Sequence, residues 1–144
     1  MNEPHTRIIA VTGGSGLIGS HLLRRLWADG ANLRVLTRRR PPEALGTEYI
    51  MGDLGDAASL RNLVEGATEI VHLAGIAHTS LPTEESRRRA RAINVDGTQR
   101  LLEVAGEVGA RRVIVASSAL YTQGSPALDC RNSAPPGAIP SMPR

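Results

Sequence analysis

Residues 11–19 read Val11-Thr12-Gly13-Gly14-Ser15-Gly16-Leu17-Ile18-Gly19, and this glycine-rich stretch decides the fold. The hydrophobic residues 7–12 predict a buried strand, and the apolar spacing of Ile18, Leu22 and Leu26 predicts a helix that Gly30 caps. Glycine at these positions lets the backbone turn tightly and approach a pyrophosphate, which then meets free N–H groups at the helix N-terminus. We therefore predict a dinucleotide-binding turn contributed by Thr12, Gly13, Gly14, Ser15, Gly16, Leu17, Ile18 and Gly19. A purely structural glycine-rich turn is the alternative.

The rest of the first 120 or so residues alternates between short hydrophobic runs and helical patterns. Further strands are predicted at residues 33–36, 49–51, 69–74 and 113–116, and helices are predicted to start at Asp56 and near Thr83. Strands that alternate with helices indicate βαβ units and a parallel sheet. The predicted fold class is α/β, a Rossmann-like doubly wound parallel sheet of order 3-2-1-4-5, truncated after about the fifth strand. A cofactor would lie at the carboxyl ends of the first and fourth strands.

Composition excludes several classes of protein. The 144 residues have single-domain length, and a net charge of +3 with 2% aromatic residues argues against nucleic-acid binding. Apolar runs are far shorter than the roughly 18 residues of a membrane helix, and the polar N-terminus does not resemble a signal peptide. Cys130 is the only cysteine, so neither an internal disulfide nor a cysteine zinc cluster can form. We expect a soluble cytoplasmic protein without a metal.

The residues after the second predicted strand bear on the choice of cofactor. Folds that bind NAD commonly place an acidic residue there to hold the ribose 2′-hydroxyl group. Here the position is Thr37, followed by Arg38, Arg39 and Arg40, whose guanidinium groups could pair with a 2′-phosphate. We therefore predict NADP, with NAD as the less favoured cofactor. The alternative is that the arginines form a solvated loop.

Five motifs in the same order resemble the extended short-chain dehydrogenase/reductases, the NAD-dependent epimerase/dehydratase group, over residues 7–121. They are the turn at 12–19, Gly52-Asp53-Leu54, His72-Leu73-Ala74-Gly75, Asn94-Val95-Asp96-Gly97-Thr98 and Val115-Ala116-Ser117-Ser118. The resemblance implies an oxidoreductase, epimerase or dehydratase whose small-molecule substrate is a nucleotide sugar or a small carbonyl compound. It implies a catalytic Ser118 and further cofactor contacts from Asp53, Leu54, Leu73, Ala74, Gly75, Asn94 and Ser117, in addition to those predicted above for Thr37, Arg38 and Arg39.

Each of these implied roles has a structural alternative. Asp53 could simply cap a turn, and the side chain of Asn94 could bond only to the backbone within the fold. His72 lies in an apolar strand, which is typical of a packed core histidine. Ser118 could be an ordinary hydroxyl group at the end of a strand.

The catalytic pair of the family is absent from this sequence. The family uses Tyr-x-x-x-Lys, whereas Tyr121 is followed by Thr122-Gln123-Gly124-Ser125, and all 17 basic residues are arginine. Residues 1–124 are expected to form the NAD(P)-binding domain, and the proline-rich residues 125–144 to form a disordered or aberrant tail. A frameshift after Tyr121 would explain both features. The chain is then an incomplete enzyme or an inactive cofactor-binding module or redox sensor, and an open sheet edge favours a homodimer.

Overall fold

The computed structural model describes residues 7–39, 46–76 and 83–117. The predicted tail at 125–144 lies outside the described residues, as do Arg40, Ser118 and Tyr121. The strands are β1 (Ile8–Thr12), β2 (Asn32–Thr37), β3 (Glu48–Met51), β4 (Ala67–His72) and β5 (Arg112–Val115). The helices are α1 (Leu17–Ala28), α2 (Ala57–Val64), α3 (Glu84–Arg91) and α4 (Thr98–Glu107), with a π-helical turn, Ala92–Gly97, between α3 and α4.

All five strands are parallel and form one sheet of order β3-β2-β1-β4-β5, which confirms the predicted topology. In the central strand, Thr12 stands level with Leu36 of β2 and with His72 of β4. The end of β1 is therefore flanked by the ends of its two neighbours. Everything that follows these three strands lies at one edge of the sheet, where doubly wound folds bind ligands.

Alternate side chains of the sheet enter two cores on its opposite faces. Ile9 and Val11 pack with Leu23 of α1, whereas Ala10 packs in the cluster that contains buried residues of α2 and α4. This alternation follows from the two-residue period of a strand. Helices thus cover both faces, as the Rossmann-like fold class requires.

The predicted helix from residue 83 is interrupted at its centre. One π-helical turn, Ala92–Gly97, separates α3 from α4 and accommodates an extra residue. A Cβ atom on Gly97 would lie 2.8 Å from Cβ of Leu54, so the turn approaches the loop after β3 closely. The apolar spacing of this segment predicts a buried stripe of Ala90, Ile93, Gly97, Leu101, Val104, Ala105 and Val108. Gly97, Leu101, Val104 and Ala105 are buried, whereas Ala90 and Ile93 are half-buried and Val108 is exposed.

Candidate functional site

A pocket of about 670 Å³ opens at the carboxyl ends of the strands. This volume lies within the range of small-molecule and cofactor sites. The sequence predicts most of its lining: Thr12, Gly13, Ser15, Gly16, Thr37, Arg38, Asp53, Leu54, Leu73, Ala74 and Gly75. The structure brings these residues together from four segments of the chain, which follow β1, β2, β3 and β4.

Three glycines fix the shape of the turn after β1, residues 13–16, which we call the glycine turn. Gly13 has a φ of +74°, and a Cβ atom there would lie 2.5 Å from the backbone nitrogen of Ala74. A Cβ atom on Gly14 would meet Leu23, and one on Gly19 would collide with the carbonyl oxygen of Gly13. These glycines are required by close packing between the turn, α1 and β4.

Gly16 differs from Gly13, Gly14 and Gly19 because its Cβ position is less crowded. Its φ of −75° suits any L-residue, and only the Gly13 carbonyl oxygen lies within 4 Å of a Cβ built there, at 3.3 Å. Gly16 lines the pocket, and it is the residue that precedes the first turn of α1. A side chain at this position would therefore add volume beside the pocket and press on the Gly13 carbonyl oxygen, without reaching the buried core.

The N-terminus of α1 has no side-chain cap. By contrast, Asp56 accepts hydrogen bonds from the N–H groups of Ala58 and Ser59 in α2, and Thr83 accepts one from Ser86 in α3. The first turn of α1 also contains no acidic residue. Its N–H groups and the positive end of the helix dipole are thus available to an anion, a property that the glycine spacing predicts.

Thr37 organises the turn that follows β2. Its hydroxyl group donates to the Arg39 carbonyl oxygen at 2.6 Å and lies 3.3 Å from the Arg39 N–H group. This local turn directs Arg38 to the pocket, whereas Arg39 is exposed and does not belong to the described lining. Arg38 makes no ion pair within residues 7–39, 46–76 and 83–117. Of the two arginines predicted to contact the cofactor, Arg38 and Arg39, the structure thus places one, Arg38, at the pocket.

Asp53 both caps a turn and lines the pocket. Its Oδ1 atom accepts a hydrogen bond of 2.6 Å from the Gly55 N–H group. The residue is exposed on the pocket side, next to Leu54 and Gly55. The structural and the ligand-binding interpretations of this carboxylate are therefore compatible.

Asn94, in the π-helical turn, binds the backbone of Ile76 with both ends of its amide. Oδ1 accepts from the Ile76 N–H group at 2.8 Å, and Nδ2 donates to the Ile76 carbonyl oxygen at 2.9 Å. Asn94 is absent from the described pocket lining, although Ala92 and Ile93 belong to it. The amide thus fixes residues 73–76, which we call the β4 loop, and its predicted contact with the cofactor stays a prediction.

His72 is buried at the end of β4, with 3% of its surface exposed. Its Nδ1 atom lies 2.6 Å from Oγ1 of Thr12, and its Nε2 atom lies 2.8 Å from Oγ1 of Thr98. Burial lowers the pKa of His72 below its ordinary value of 6.5, because the charged ring loses hydration. The structure agrees with a packed histidine that is neutral at pH 7.

The lowered pKa of His72 predicts a loss of stability in mild acid. Below about pH 6.5 the unfolded chain binds a proton that the folded chain resists, so the unfolding free energy falls, by at most about 1.4 kcal/mol per pH unit. Urea unfolding at about pH 7.5 and 5.5 measures this change, in a range where most carboxylates stay ionised. His72→Gln should reduce the pH dependence, whereas His21→Gln, at an exposed position of α1, should preserve it. An equal change in unfolding free energy between the two pH values for wild type and His72→Gln would contradict the prediction.

Several predicted site residues do not line the described pocket. Gly14 and Gly19 are buried in the packing of the glycine turn, while Leu17 and Ile18 are exposed at the start of α1. Ser117 is exposed just after β5. The cofactor contacts assigned to these residues stay predictions, and Ser118 lies outside the described residues.

The pocket also has lining residues that sequence reasoning missed: Leu36, Gly52, Gly55, Ile76, Arg89, Ala92, Ile93 and Arg100. Arg89 and Arg100 are the notable ones, because they add positive charge from a wall remote in sequence from Arg38. A helical projection of the segment around Asn94 would place residues 89, 92 and 93 on one side. It would not show that this side faces the pocket.

Within the described residues, no helix is long and apolar enough to cross a membrane. The same part of the chain contains no group of three or more His, Cys, Asp or Glu side chains that could hold a metal ion.

A parallel sheet of order 3-2-1-4-5, with a glycine turn before α1 and a pocket at the switch point, defines a Rossmann-like protein, a class in which dinucleotides commonly bind at this edge of the sheet. The family model described as "NAD dependent epimerase/dehydratase family" matches residues 9–137. The chain belongs to this family.

Relatives in sequence and in structure agree with that membership. The chain is 38% identical over 116 residues to ceramide reductase of Caulobacter vibrioides, covering 78% of this chain and 35% of that protein. An NAD-bound short-chain dehydrogenase/reductase superfamily protein from Agrobacterium tumefaciens matches with a TM-score of 0.70 and 32% identity, covering 78% of this chain and 33% of that one.

A further solved structure, MoeE5 in complex with UDP-glucuronic acid and NAD, matches with a TM-score of 0.68 and 34% identity. The match covers 78% of this chain and 36% of that chain. The chain thus spans about a third of the length of these three relatives.

Proposed function

We propose that this chain is the NADP-binding part of an epimerase/dehydratase/reductase-type oxidoreductase. The observation that carries the proposal is the uncapped N-terminus of α1, which opens with Gly16 onto the pocket of about 670 Å³. A pyrophosphate needs such a combination of close backbone approach and free N–H groups. The residues present therefore fit a dinucleotide.

The charge of the pocket favours the phosphorylated dinucleotide. Arg38, Arg89 and Arg100 belong to the lining, and Asp53 is the one carboxylate among its described residues. We assign Gly13, Gly16 and the start of α1 to the pyrophosphate, and Asp53 to the adenine. Arg38, with Arg39 beside it, would hold the 2′-phosphate, because a guanidinium group pairs bidentately with phosphate oxygens.

The chemistry proposed for the complete fold is hydride exchange by the nicotinamide of the bound cofactor. This chain would contribute the pocket, and Ser118 would donate a hydrogen bond to the substrate oxygen. A nucleotide sugar or small carbonyl compound is the proposed substrate. A nucleotide sugar is supported by a relative solved with UDP-glucuronic acid and NAD, and the reductase alternative by another relative named ceramide reductase.

A fluorescence titration with the two reduced cofactors tests the proposal. The 144-residue chain should bind NADPH about tenfold more tightly than NADH, because the charged hydrogen bonds to the 2′-phosphate are lost with NADH. Tighter binding of NADH would reject NADP and leave NAD, the cofactor found in the solved relatives. Binding of neither cofactor would reject the proposed pocket assignment.

A further inference from the structure

A continuous series of hydrogen bonds runs beneath the pocket, from the β4 loop to the π-helical turn. The Ala74 N–H group lies 3.3 Å from Oγ1 of Thr12, and that oxygen lies 2.6 Å from Nδ1 of His72. On the other side of the ring, Nε2 lies 2.8 Å from Oγ1 of Thr98, and this hydroxyl group lies 2.8 Å from the Asn94 carbonyl oxygen. We call these five groups the His72 chain.

The donors and acceptors of the His72 chain can be assigned from its fixed end. The main-chain carbonyl oxygen of Asn94 can only accept a hydrogen bond, so the single proton of the Thr98 hydroxyl group points to it. The Thr98 oxygen must then accept from Nε2–H of His72, which leaves Nδ1 as an acceptor for the Thr12 hydroxyl proton. The Thr12 oxygen in turn accepts from the Ala74 N–H group. Every proton in the His72 chain has one acceptor.

This assignment requires a neutral imidazole with its proton on Nε2. Burial of His72 lowers its pKa and thereby favours the neutral ring. A ring protonated on both nitrogens would place an N–H group against the Thr12 hydroxyl proton and break the sequence of donors. The geometry and the burial of His72 thus favour the same state.

The His72 chain connects the ends of two neighbouring strands, β1 and β4, at the pocket. Thr12 immediately precedes the glycine turn, and its carbonyl oxygen also accepts from the Leu73 N–H group at 3.1 Å. Ala74 belongs to the β4 loop, whose far end, Ile76, is held by the side chain of Asn94. Because Thr12 and Ala74 both line the pocket, the His72 chain joins two adjacent parts of its lining to the π-helical turn.

We propose that His72 is a positioning residue that holds the β4 loop at a fixed distance from the glycine turn and so preorganises the cofactor pocket. The ring itself is buried below the lining, so it acts through Thr12 and Ala74 and touches no ligand. The expected effect on NADP affinity rests on the proposed function. The restraint on the β4 loop itself is measurable without any cofactor.

The test removes the far anchor of the His72 chain and leaves the pocket lining intact. Thr98→Val keeps the shape of the side chain but removes the acceptor for Nε2–H, and Thr98→Ser restores a hydroxyl group at the same position. We expect Thr98→Val to weaken NADPH binding about tenfold and Thr98→Ser to bind within about threefold of wild type. Hydrogen exchange at Ala74 and Ile76 should accelerate in Thr98→Val and return towards wild type in Thr98→Ser.

Nitrogen NMR of the imidazole tests the assignment of donors and acceptors independently of cofactor binding. Wild type should carry the proton on Nε2, and a proton on Nδ1 would overturn the assignment even if every variant failed to fold. Unchanged exchange at Ala74 and unchanged NADPH affinity in a folded Thr98→Val protein would overturn the positioning role. Failure of the proposed function has a different signature, namely wild type that binds no NADPH while the Nε2 proton and the exchange response are present.

Discussion

Replacement of Gly16 by valine is expected to weaken NADPH binding more than about 100-fold while the protein stays folded. The backbone of Gly16 has a φ of −75°, which valine adopts, and the built Cβ position meets only the Gly13 carbonyl oxygen, at 3.3 Å. The two methyl groups of valine would therefore project into the pocket. There they would keep the pyrophosphate from reaching the N–H groups of α1, because the backbone could no longer approach the phosphates closely.

Fluorescence titration with NADPH measures the loss, and circular dichroism with thermal unfolding checks the fold. Gly16→Ala should weaken binding less than Gly16→Val, because one methyl group intrudes less than an isopropyl group. Gly19→Ala is the contrasting control for a loss of stability. Its Cβ atom would collide with the Gly13 carbonyl oxygen and destabilise the protein by about 2–3 kcal/mol. NADPH affinity of Gly16→Val within a few-fold of wild type would contradict the placement of the pyrophosphate.

The topology of the sheet was predictable because it follows from local pattern and general rules of chain connection. Hydrophobic runs such as residues 7–12 and 69–74 are separated by helical periods, and βαβ connections leave few arrangements open. The π-helical turn, Ala92–Gly97, was not predictable in the same way. Its cause is tertiary: Asn94 reaches the Ile76 backbone, and Gly97 packs against Leu54, so the helix accommodates an extra residue.

The residues of the candidate site likewise divide into those that local sequence predicts and those that tertiary packing brings to the pocket. The glycine turn and Arg38 follow directly from their own strands, so sequence spacing places them at the pocket. Arg89 and Arg100 lie more than 50 residues from Arg38 and reach the pocket only because α3 and α4 fold over the sheet edge. The partners of His72 also depend on distant packing, since Thr98 stands 26 residues away. Sequence indicated a buried histidine but not the hydrogen bonds that orient it.

Replacement of Arg38 by alanine is expected to separate the two cofactors. The variant should bind NADPH about 10- to 100-fold more weakly, because a charge-assisted hydrogen bond contributes about 1.5–3 kcal/mol. NADH affinity should change by less than about threefold, since NADH carries no 2′-phosphate for the guanidinium group to hold. Parallel titrations of wild type and Arg38→Ala with both cofactors measure this difference.

Two further arginine variants identify the source of such an effect. Arg24→Ala removes an exposed charge from α1, outside the described pocket lining, and controls for net charge. Arg39→Ala tests the neighbour, whose backbone Thr37 holds but which does not line the described pocket. A loss confined to Arg38→Ala assigns the 2′-phosphate to that one side chain. If Arg38→Ala and Arg24→Ala weaken NADPH binding equally, the preference for NADP comes from the overall positive charge, and increasing salt should screen it in both variants.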